Sequence, residues 1–300
     1  MVLLRSSDVS FSLEVPMKLY RTHAGIVVEE QGKRVFLPSF EWNNLFNQDD
    51  AARYIHELLN SPDSSGAREY DAPHVSDVLP PVDRQEVWAA GVTYYRSRDA
   101  RMHESKQTGG NTFYDLVYAA ERPELFYKGN KRNVVTHGDS VRIRVDATWN
   151  VPEPELTLVV NSRGRIIGYT VGNDMSSRDI EGMNPLYLPQ AKVYDASCSL
   201  GPCIYITTED LPQTTRIQLR ITRGGNAVFT GETTLEELKR KPQELVDYLF
   251  RDNTFPDGAF LLTGTGIVPG DDFTLQQGDH VEIEIDGIGT LENHVIQGTQ

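Results

Sequence analysis

The sequence has few cysteines, and they carry no pattern of a stabilising or reactive site. Cys198 and Cys203 are separated by four residues, which differs from the C-x-x-C spacing of redox and zinc sites. A disulfide framework is therefore excluded, and we interpret both cysteines as small core residues.

The sequence also lacks a long apolar run. Its most apolar start, Val2-Leu3-Leu4, is interrupted at once by Arg5, whereas a membrane-spanning helix needs about 20 apolar residues. We therefore expect a cytoplasmic protein with no membrane partner. The first strand-like pattern begins only after Met17, so Met17 is a candidate for the natural start.

Basic residues are in deficit. The chain has 29 lysines and arginines against 43 aspartates and glutamates, a formal net charge of -14. Such a balance opposes binding to phosphate backbones, so nucleic acid is not an expected partner. With 39% hydrophobic and 24% charged residues, the composition is that of an ordinary globular protein. There is no internal repeat of the solenoid or propeller type.

The N-terminal quarter has the pattern of a small α/β module. Strand-like runs at 18–22 and 25–28 precede a helical pattern at 49–59, which follows an aspartate cap and is broken by the turn residues of 61–66. Prolines then mark a connector around residue 75. We predict a small N-terminal α/β domain over 1–75 and a catalytic domain over 76–300.

Beyond that connector, strand patterns predominate. They lie at 86–92, 140–145, 156–160, 165–172, 203–207, 216–222, 227–230 and 280–285. Helical patterns lie at 114–120 and 235–249, and Pro242 limits the length of the second one. The sequence therefore predicts an α+β protein with a β-rich catalytic domain.

Two glutamates stand two residues apart in a strand pattern. Glu153 and Glu155 alternate with Pro152 and Pro154. In an extended strand such residues point to the same face. Because proline cannot donate a ladder hydrogen bond, we expect this stretch at a strand start or a sheet edge, where side chains face a cleft.

A third carboxylate is brought near by the turn at 162–164. A two-residue loop at Arg163-Gly164 would pair residues whose numbers add up to about 327, which places Asp174 opposite Glu153. Three adjacent carboxylates repel one another unless a cation neutralises them, and oxygen ligands favour Mg²⁺ or Mn²⁺. Geometry alone leaves a solvated acidic edge as the alternative.

Motifs along 76–296 resemble the fumarylacetoacetate hydrolase superfamily. They are the pair Glu153 and Glu155, the N-D-x-S-x-R-D run at 173–179, Lys192, Gly201-Pro202 and the glycine-rich run at 263–269. The resemblance implies a β-roll catalytic fold and a divalent ion, Mg²⁺ with Mn²⁺ as a substitute, on Glu153, Glu155 and Asp174. It also implies that Lys192 lies beside the substrate and that the chain forms homodimers or homotetramers.

Hydrolases of this superfamily typically activate water with an H-x-x-E pair that follows a G-x-N-Y motif. At the corresponding positions this sequence has Ser97 and Ala100, and a water attack on a carbonyl needs a general base. Hydrolysis is therefore disfavoured, and Ser97 is expected to contact the substrate instead. His103 is the nearest substitute base.

The segments 119–128, 184–192, 251–253 and 256–258 look like the sugar-acid dehydratases of the same superfamily. This resemblance implies that a 2-keto-3-deoxypentonate, of the 2-dehydro-3-deoxy-D-arabinonate type, is converted to 2,5-dioxopentanoate and water through a metal-stabilised enolate. Lys192 would be the base at C3 and Glu124 the acid for the C4 hydroxyl. Thr265 and the backbone N–H of Gly264 would hold the substrate carboxylate.

Each of these roles has an alternative. The alternative for Lys192 is a structural salt bridge to Asp174 or Asp195. The alternative for Glu124 is an exposed charge at a helix end, and the alternative for the glycine-rich run is a simple tight turn. We interpret Arg178 and Asp179 as a buried structural pair. For the whole chain, the alternatives are an acylpyruvate hydrolase, an oxaloacetate decarboxylase, or a non-catalytic homologue that binds divalent ions.

Overall fold

The computed structural model describes residues 15–38, 40–61, 68–70, 77–94 and 117–298, and strands predominate in it. The strands are β1 (Met17–Thr22), β2 (Gly25–Glu30), β3 (Lys33–Pro38), β4 (Arg68–Glu69), β5 (Glu86–Gly91), β6 (Glu124–Gly129), β7 (Val134–Val135), β8 (Ser140–Ile143), β9 (Asn150–Val151), β10 (Pro154–Val160), β11 (Ile166–Asp174), β12 (Ser176–Ser177), β13 (Cys198–Ile206), β14 (Arg216–Arg223), β15 (Asn226–Thr234), β16 (Ala259–Leu262), β17 (His280–Ile285) and β18 (Gly289–Gln297).

Helices are short and few among the described residues. The α-helices are Ala51–Leu59, Arg178–Met183, Leu188–Lys192 and Pro242–Leu249, and the 3₁₀-helices are Trp42–Asn47, Pro185–Tyr187 and Leu235–Glu237. None of the helices in these ranges is long and apolar enough to cross a membrane. The α+β class with a β-rich body is therefore confirmed.

Two sheets form the body of the protein. The larger has the order β4-β3-β2-β1-β13-β11-β10-β16-β5-β6, with β7 paired to β13, and the smaller has the order β15-β14-β17-β18-β8. Leu158 of β10, Leu219 of β14 and Ile283 of β17 belong to one buried cluster between the sheets. On the opposite face of the large sheet, Val159 of β10 packs in a second cluster with Ile55 of the first helix.

Layers on both faces explain the sequence of β10. All seven of its residues are buried, so the residues after Glu155 are apolar except for Thr157 and do not alternate regularly with polar residues. This placement holds the strand that carries Glu155 in the middle of the protein.

The N-terminal strands continue the catalytic sheet. Strand β1 pairs antiparallel with β13, with Met17 opposite Ile206. The predicted boundary near residue 75 falls in 71–76, outside the described residues, so the division into 1–75 and 76–300 stays a prediction.

Both helical patterns that the structure covers fully are confirmed in outline. The first helix is capped by Asp50, whose Oδ1 accepts the N–H of Arg53 at 2.9 Å. The pattern at 235–249 is divided into a 3₁₀ turn and a helix that begins at Pro242, because proline fits the first helical turn but not the interior. The predicted helix at 114–120 is described only from residue 117.

The β10–β11 hairpin has the predicted register. Glu155 lies opposite Gly172, and the N–H of Asp174 donates to the carbonyl of Glu153 at 3.0 Å. The two-residue loop was wrong, since residues 161–165 connect the strands. A bulge between Val159 and Val160 shifts the pairing by one residue and so restores the predicted register.

A buried carboxyl group in the N-terminal layer generates a prediction on pH dependence. Burial raises the pKa of Glu30 from 4.5 to about 7, and Glu30 Oε1 lies 3.6 Å from His56 Nε2. Such a group binds its proton more tightly in the folded state. Its contribution to the free energy of unfolding is therefore present at low pH and is lost as the pH rises through about 7.

We expect Glu30→Gln to be more stable than the wild type at pH 8 and to match it near pH 4, below the ordinary pKa of 4.5, as measured by urea denaturation. Glu41→Gln at an exposed position is the control and should follow the wild type. Equal pH slopes for wild type and Glu30→Gln would contradict the prediction.

Candidate metal centre and active site

Three carboxylates converge at one end of the β10–β11 hairpin. One oxygen each from Glu153, Glu155 and Asp174 lies within 4.8 Å of the others. Their side chains are only 5%, 1% and 1% exposed. A solvated acidic edge would leave these groups in water, so burial excludes that alternative.

Lys192 joins two of these carboxylates. It is the last residue of the helix Leu188–Lys192 and is fully buried. Its Nζ donates to Glu153 Oε2 at 2.8 Å and to Asp174 Oδ2 at 3.1 Å, and it also donates to the Ser176 hydroxyl. The alternative salt bridge to Asp174 is thus present, and it lies within the carboxylate cluster.

Two further cations bind the same carboxylates from other sides. Arg178 Nη2 donates to Glu153 Oε1 at 2.8 Å, and Lys128 Nζ lies 2.6 Å from Asp174 Oδ1. The predicted pair of Arg178 with Asp179 was wrong, because Asp179 accepts from Thr148 instead.

A fourth buried carboxylate, Glu181, faces this group. Its oxygens are 3.8 Å from Arg178 Nε and 3.7 Å from Lys192 Nζ. Sequence reasoning missed Glu181 and gave Lys128 no role. The spacing of Arg178 and Glu181, three residues apart on one helix, is a signal that could have identified the pair.

Electrostatics single out Glu155. Burial raises the pKa of Glu155 well above its ordinary value, and the neighbouring Asp174 and Glu153 raise it further, while Lys192 and the Gly264 N–H act in the opposite direction. A cation bound here would relieve this repulsion. An all-oxygen carboxylate set suits hard ions such as Mg²⁺ and Mn²⁺. The residues present therefore fit a divalent ion of this kind.

The glycine-rich loop after β16 approaches the carboxylates closely. The Gly264 N–H donates to Glu155 Oε2 at 2.5 Å, and Gly264 has a φ of +91°. The Thr265 hydroxyl is hydrogen-bonded to the backbone of Ile267 at 3.2 Å. Both residues line the cleft that contains Glu153 and Lys192, but in this state the Gly264 N–H positions Glu155.

Glu124 lies beside Gly91, which lines that cleft. It begins β6 opposite Gly91 and is half-buried, so an exposed helix-end charge was the wrong alternative. A Cβ at Gly91 would lie 2.1 Å from Glu124 Oε2, because the carboxyl group lies directly over this glycine. Glu124 and Glu181 also line an adjoining cavity of about 810 Å³.

Ser97, Ala100 and His103 fall in 95–116, outside the described residues. Their predicted positions relative to the carboxylates stay predictions.

Comparison with known proteins identifies the class. Residues 101–296 match the family described as "Fumarylacetoacetate (FAA) hydrolase C-terminal". The chain belongs to the fumarylacetoacetate hydrolase family, as its motifs predicted.

Within that family the chain is similar to sugar-acid dehydratases. It is 52% identical to the "Probable 2-keto-3-deoxyxylonate dehydratase" of Haloferax volcanii over 72% of this chain and 73% of that protein. It is 44% identical to the 2-dehydro-3-deoxy-D-arabinonate dehydratase of Saccharolobus solfataricus over 71% of this chain and 72% of the relative.

A solved structure, described as 2-keto-3-deoxy-D-arabinonate dehydratase complexed with magnesium and 2,5-dioxopentanoate, has the same fold. It is 32% identical, has a TM-score of 0.79, and the match covers 95% of this chain and 100% of that one. The predicted β-roll architecture is thereby confirmed.

The close approach of the loop to Glu155 generates a prediction on stability. A methyl group on Gly264 would lie 1.9 Å from Thr93 Oγ1 and 3.0 Å from the Ala90 carbonyl, at a φ that side chains rarely adopt. We expect Gly264→Ala to lower the free energy of unfolding by about 1–3 kcal/mol, as measured by urea denaturation.

Gly298→Ala is the control, since its added methyl group meets nothing closer than 3.4 Å. If both variants unfold at the same urea concentration, the loop is not tightly packed against Thr93 and Ala90.

Proposed function

We propose that this chain is a Mg²⁺-dependent dehydratase that converts a 2-keto-3-deoxypentonate to 2,5-dioxopentanoate and water. One observation carries the proposal: three buried carboxylates lie together, the Lys192 side chain contacts two of them, and Glu124 lies over Gly91, which lines the same cleft. The cleft thus combines ligands for a hard cation with one group that can take a proton and one that can give a proton.

The ion ligands in this proposal are Glu153, Glu155 and Asp174. A divalent ion there supplies a Lewis acid that polarises the ketone of a 2-oxo acid and so makes the C3 protons acidic. The Gly264 N–H orients Glu155 at 2.5 Å, and Arg178 orients Glu153 at 2.8 Å.

Lys192, as a neutral amine, takes a proton from C3. Lys128 is a poorer base, because its Nζ donates to the carbonyls of Met175 and Lys192 and also lies 2.6 Å from Asp174 Oδ1, so that its three contacts use all three ammonium protons. Lys192 is held by carboxylates and a hydroxyl group and lines the cleft.

Glu124 donates a proton to the C4 hydroxyl, which leaves as water while the C3–C4 double bond forms. The hydrolytic alternative is weaker, because Ser97 and Ala100 occupy the positions where hydrolases of the family carry histidine and glutamate.

A second proton transfer completes the reaction. The C5 carbon, which carries the terminal hydroxyl group, loses a proton and C3 regains one. The resulting C4–C5 enol then gains a proton at C4 and loses its hydroxyl proton to give the C5 aldehyde. Overall, one water is lost and no redox partner is needed. The same base can serve both deprotonations, since C3 and C5 are related through the conjugated chain.

Similarity to the relatives supports the substrate class. In a 2-keto-3-deoxypentonate, C2 is a ketone and C3 a methylene, so C4 is the single stereocentre. The arabinonate and xylonate names of the two relatives describe the same compound when both have the D configuration at C4. We propose this epimer as the substrate.

The assay that tests the function uses metal-depleted protein, both C4 epimers and an acylpyruvate, with Mg²⁺ added back. We expect Mg²⁺-dependent formation of 2,5-dioxopentanoate from the D epimer. Glu155→Gln removes an ion ligand and should lower kcat/KM at least about 100-fold, whereas Glu209→Gln at the exposed surface should not. Turnover of acylpyruvate alone, or turnover independent of metal, would contradict the proposal.

A substitution at Gly91 tests the role of Glu124 without replacing Glu124 itself. All three atoms that an added methyl group would meet at Gly91, at 2.1–3.3 Å, belong to the Glu124 side chain. We expect Gly91→Ala to displace this flexible carboxylate at a cost below about 1 kcal/mol in stability. The variant should nevertheless lose most of its kcat.

Denaturation and kinetics on the same Gly91→Ala preparation separate the two effects, with Gly298→Ala as the control. A fully active Gly91→Ala enzyme would argue that the position of Glu124 does not matter for the reaction.

A further inference from the structure

Two carboxylates of the candidate centre, Glu153 and Asp174, each form ion pairs with two cations. Glu153 gives Oε1 to Arg178 and Oε2 to Lys192, both at 2.8 Å. Asp174 gives Oδ1 to Lys128 at 2.6 Å and Oδ2 to Lys192 at 3.1 Å. Each carboxylate therefore has one oxygen on a cation of its own and the other on Lys192, the cation they share.

One of the two outer cations, Lys128, is also held by backbone carbonyls. Its Nζ donates to the Met175 carbonyl at 2.9 Å and also to the Lys192 carbonyl. Lys192 Nζ, by contrast, is held by carboxylates and by the Ser176 hydroxyl.

Lys192 contacts oxygens that an ion would need as ligands. Its Nζ donates to Glu153 Oε2 and Asp174 Oδ2, and both carboxylates belong to the cluster of three proposed ion ligands. The cleft lined by Glu153, Asp174, Lys192 and Gly264 has a volume of about 10 Å³, about what one water needs.

We infer that Lys192 is the internal counter-ion of the metal-free centre, and that a divalent ion binds by displacing its ammonium from Glu153 and Asp174. The inference rests on the proposed function for the identity of the ion ligands. A dication and an ammonium in contact with the same two oxygens repel each other, so the two compete for the site. Arg178 and Lys128 keep both carboxylates in place during the exchange.

Loading of the ion then has a second effect on the same centre. It releases Lys192 from both of its closest carboxylate partners, so that the side chain can turn toward a bound substrate. Ser176 and Glu181, at 3.7 Å, remain near its Nζ. Ion binding therefore also makes Lys192 available as the base.

The test is a titration of metal-depleted protein with Mn²⁺, followed by the electron paramagnetic resonance signal of the free ion. Removing the competitor in Lys192→Met should tighten Mn²⁺ binding about tenfold or more. Lys128→Met also removes one positive charge from the same centre. Because Lys128 contacts the outer oxygen of Asp174, Oδ1, this variant should tighten Mn²⁺ binding much less. Lys131→Met removes an exposed lysine and should match the wild type.

Unchanged or weaker Mn²⁺ binding in Lys192→Met would overturn the inference, and so would equal tightening in Lys192→Met and Lys128→Met, which would indicate a general charge effect. Circular dichroism verifies folding, and Lys192→Gln, which keeps a hydrogen-bond donor, replaces the methionine variant if that variant does not fold. If wild type and Glu155→Gln bind Mn²⁺ equally, the proposed metal site itself fails, which is a separate outcome.

Discussion

Burial of carboxylates away from water is the constraint on which the centre depends. An ionised carboxylate inside a protein is costly unless a cation and hydrogen bonds compensate for the lost water. Here four buried carboxylates, Glu153, Glu155, Asp174 and Glu181, face three buried cations, Lys128, Arg178 and Lys192. Among the described residues no cation forms an ion pair with Glu155, and burial raises the pKa of Glu155 well above its ordinary value. The negative charge of the four carboxylates is thus compensated incompletely by the three cations, as a centre that binds a further cation requires.

The large sheet makes this burial possible. Strand β10 is covered on both faces, by the smaller sheet and by the N-terminal layer, so residues at its start point into protein instead of solvent. Neighbouring β11 ends at Asp174, and the loop after β16 places Gly264 against Glu155. The start of β10, the end of β11 and the loop after β16 therefore form the centre, and the helix Leu188–Lys192 contributes Lys192.

Local patterns in the sequence predicted the parts of the site that depend on neighbouring residues. The two-residue spacing of Glu153 and Glu155 and the turn at 162–164 were enough to place Asp174 opposite Glu153, and the register is confirmed although the loop length was wrong. The partners of Arg178 and the contact of Lys128 with Asp174 were not predicted, because they join elements distant in sequence. For the same reason, sequence alone did not reveal that the N-terminal strands continue the catalytic sheet.

That continuation affects how the protein is made. Strand β1 pairs with β13, so Met17 meets Ile206 only after most of the chain has been synthesised. Until then β1 has partners only within the N-terminal segment, through β2, and one of its edges stays open to pairing with other chains. Contacts between residues so distant in sequence also slow folding. Synthesis of β13 thus covers this open edge of β1, and a chain truncated before β13 would leave that strand edge unpaired.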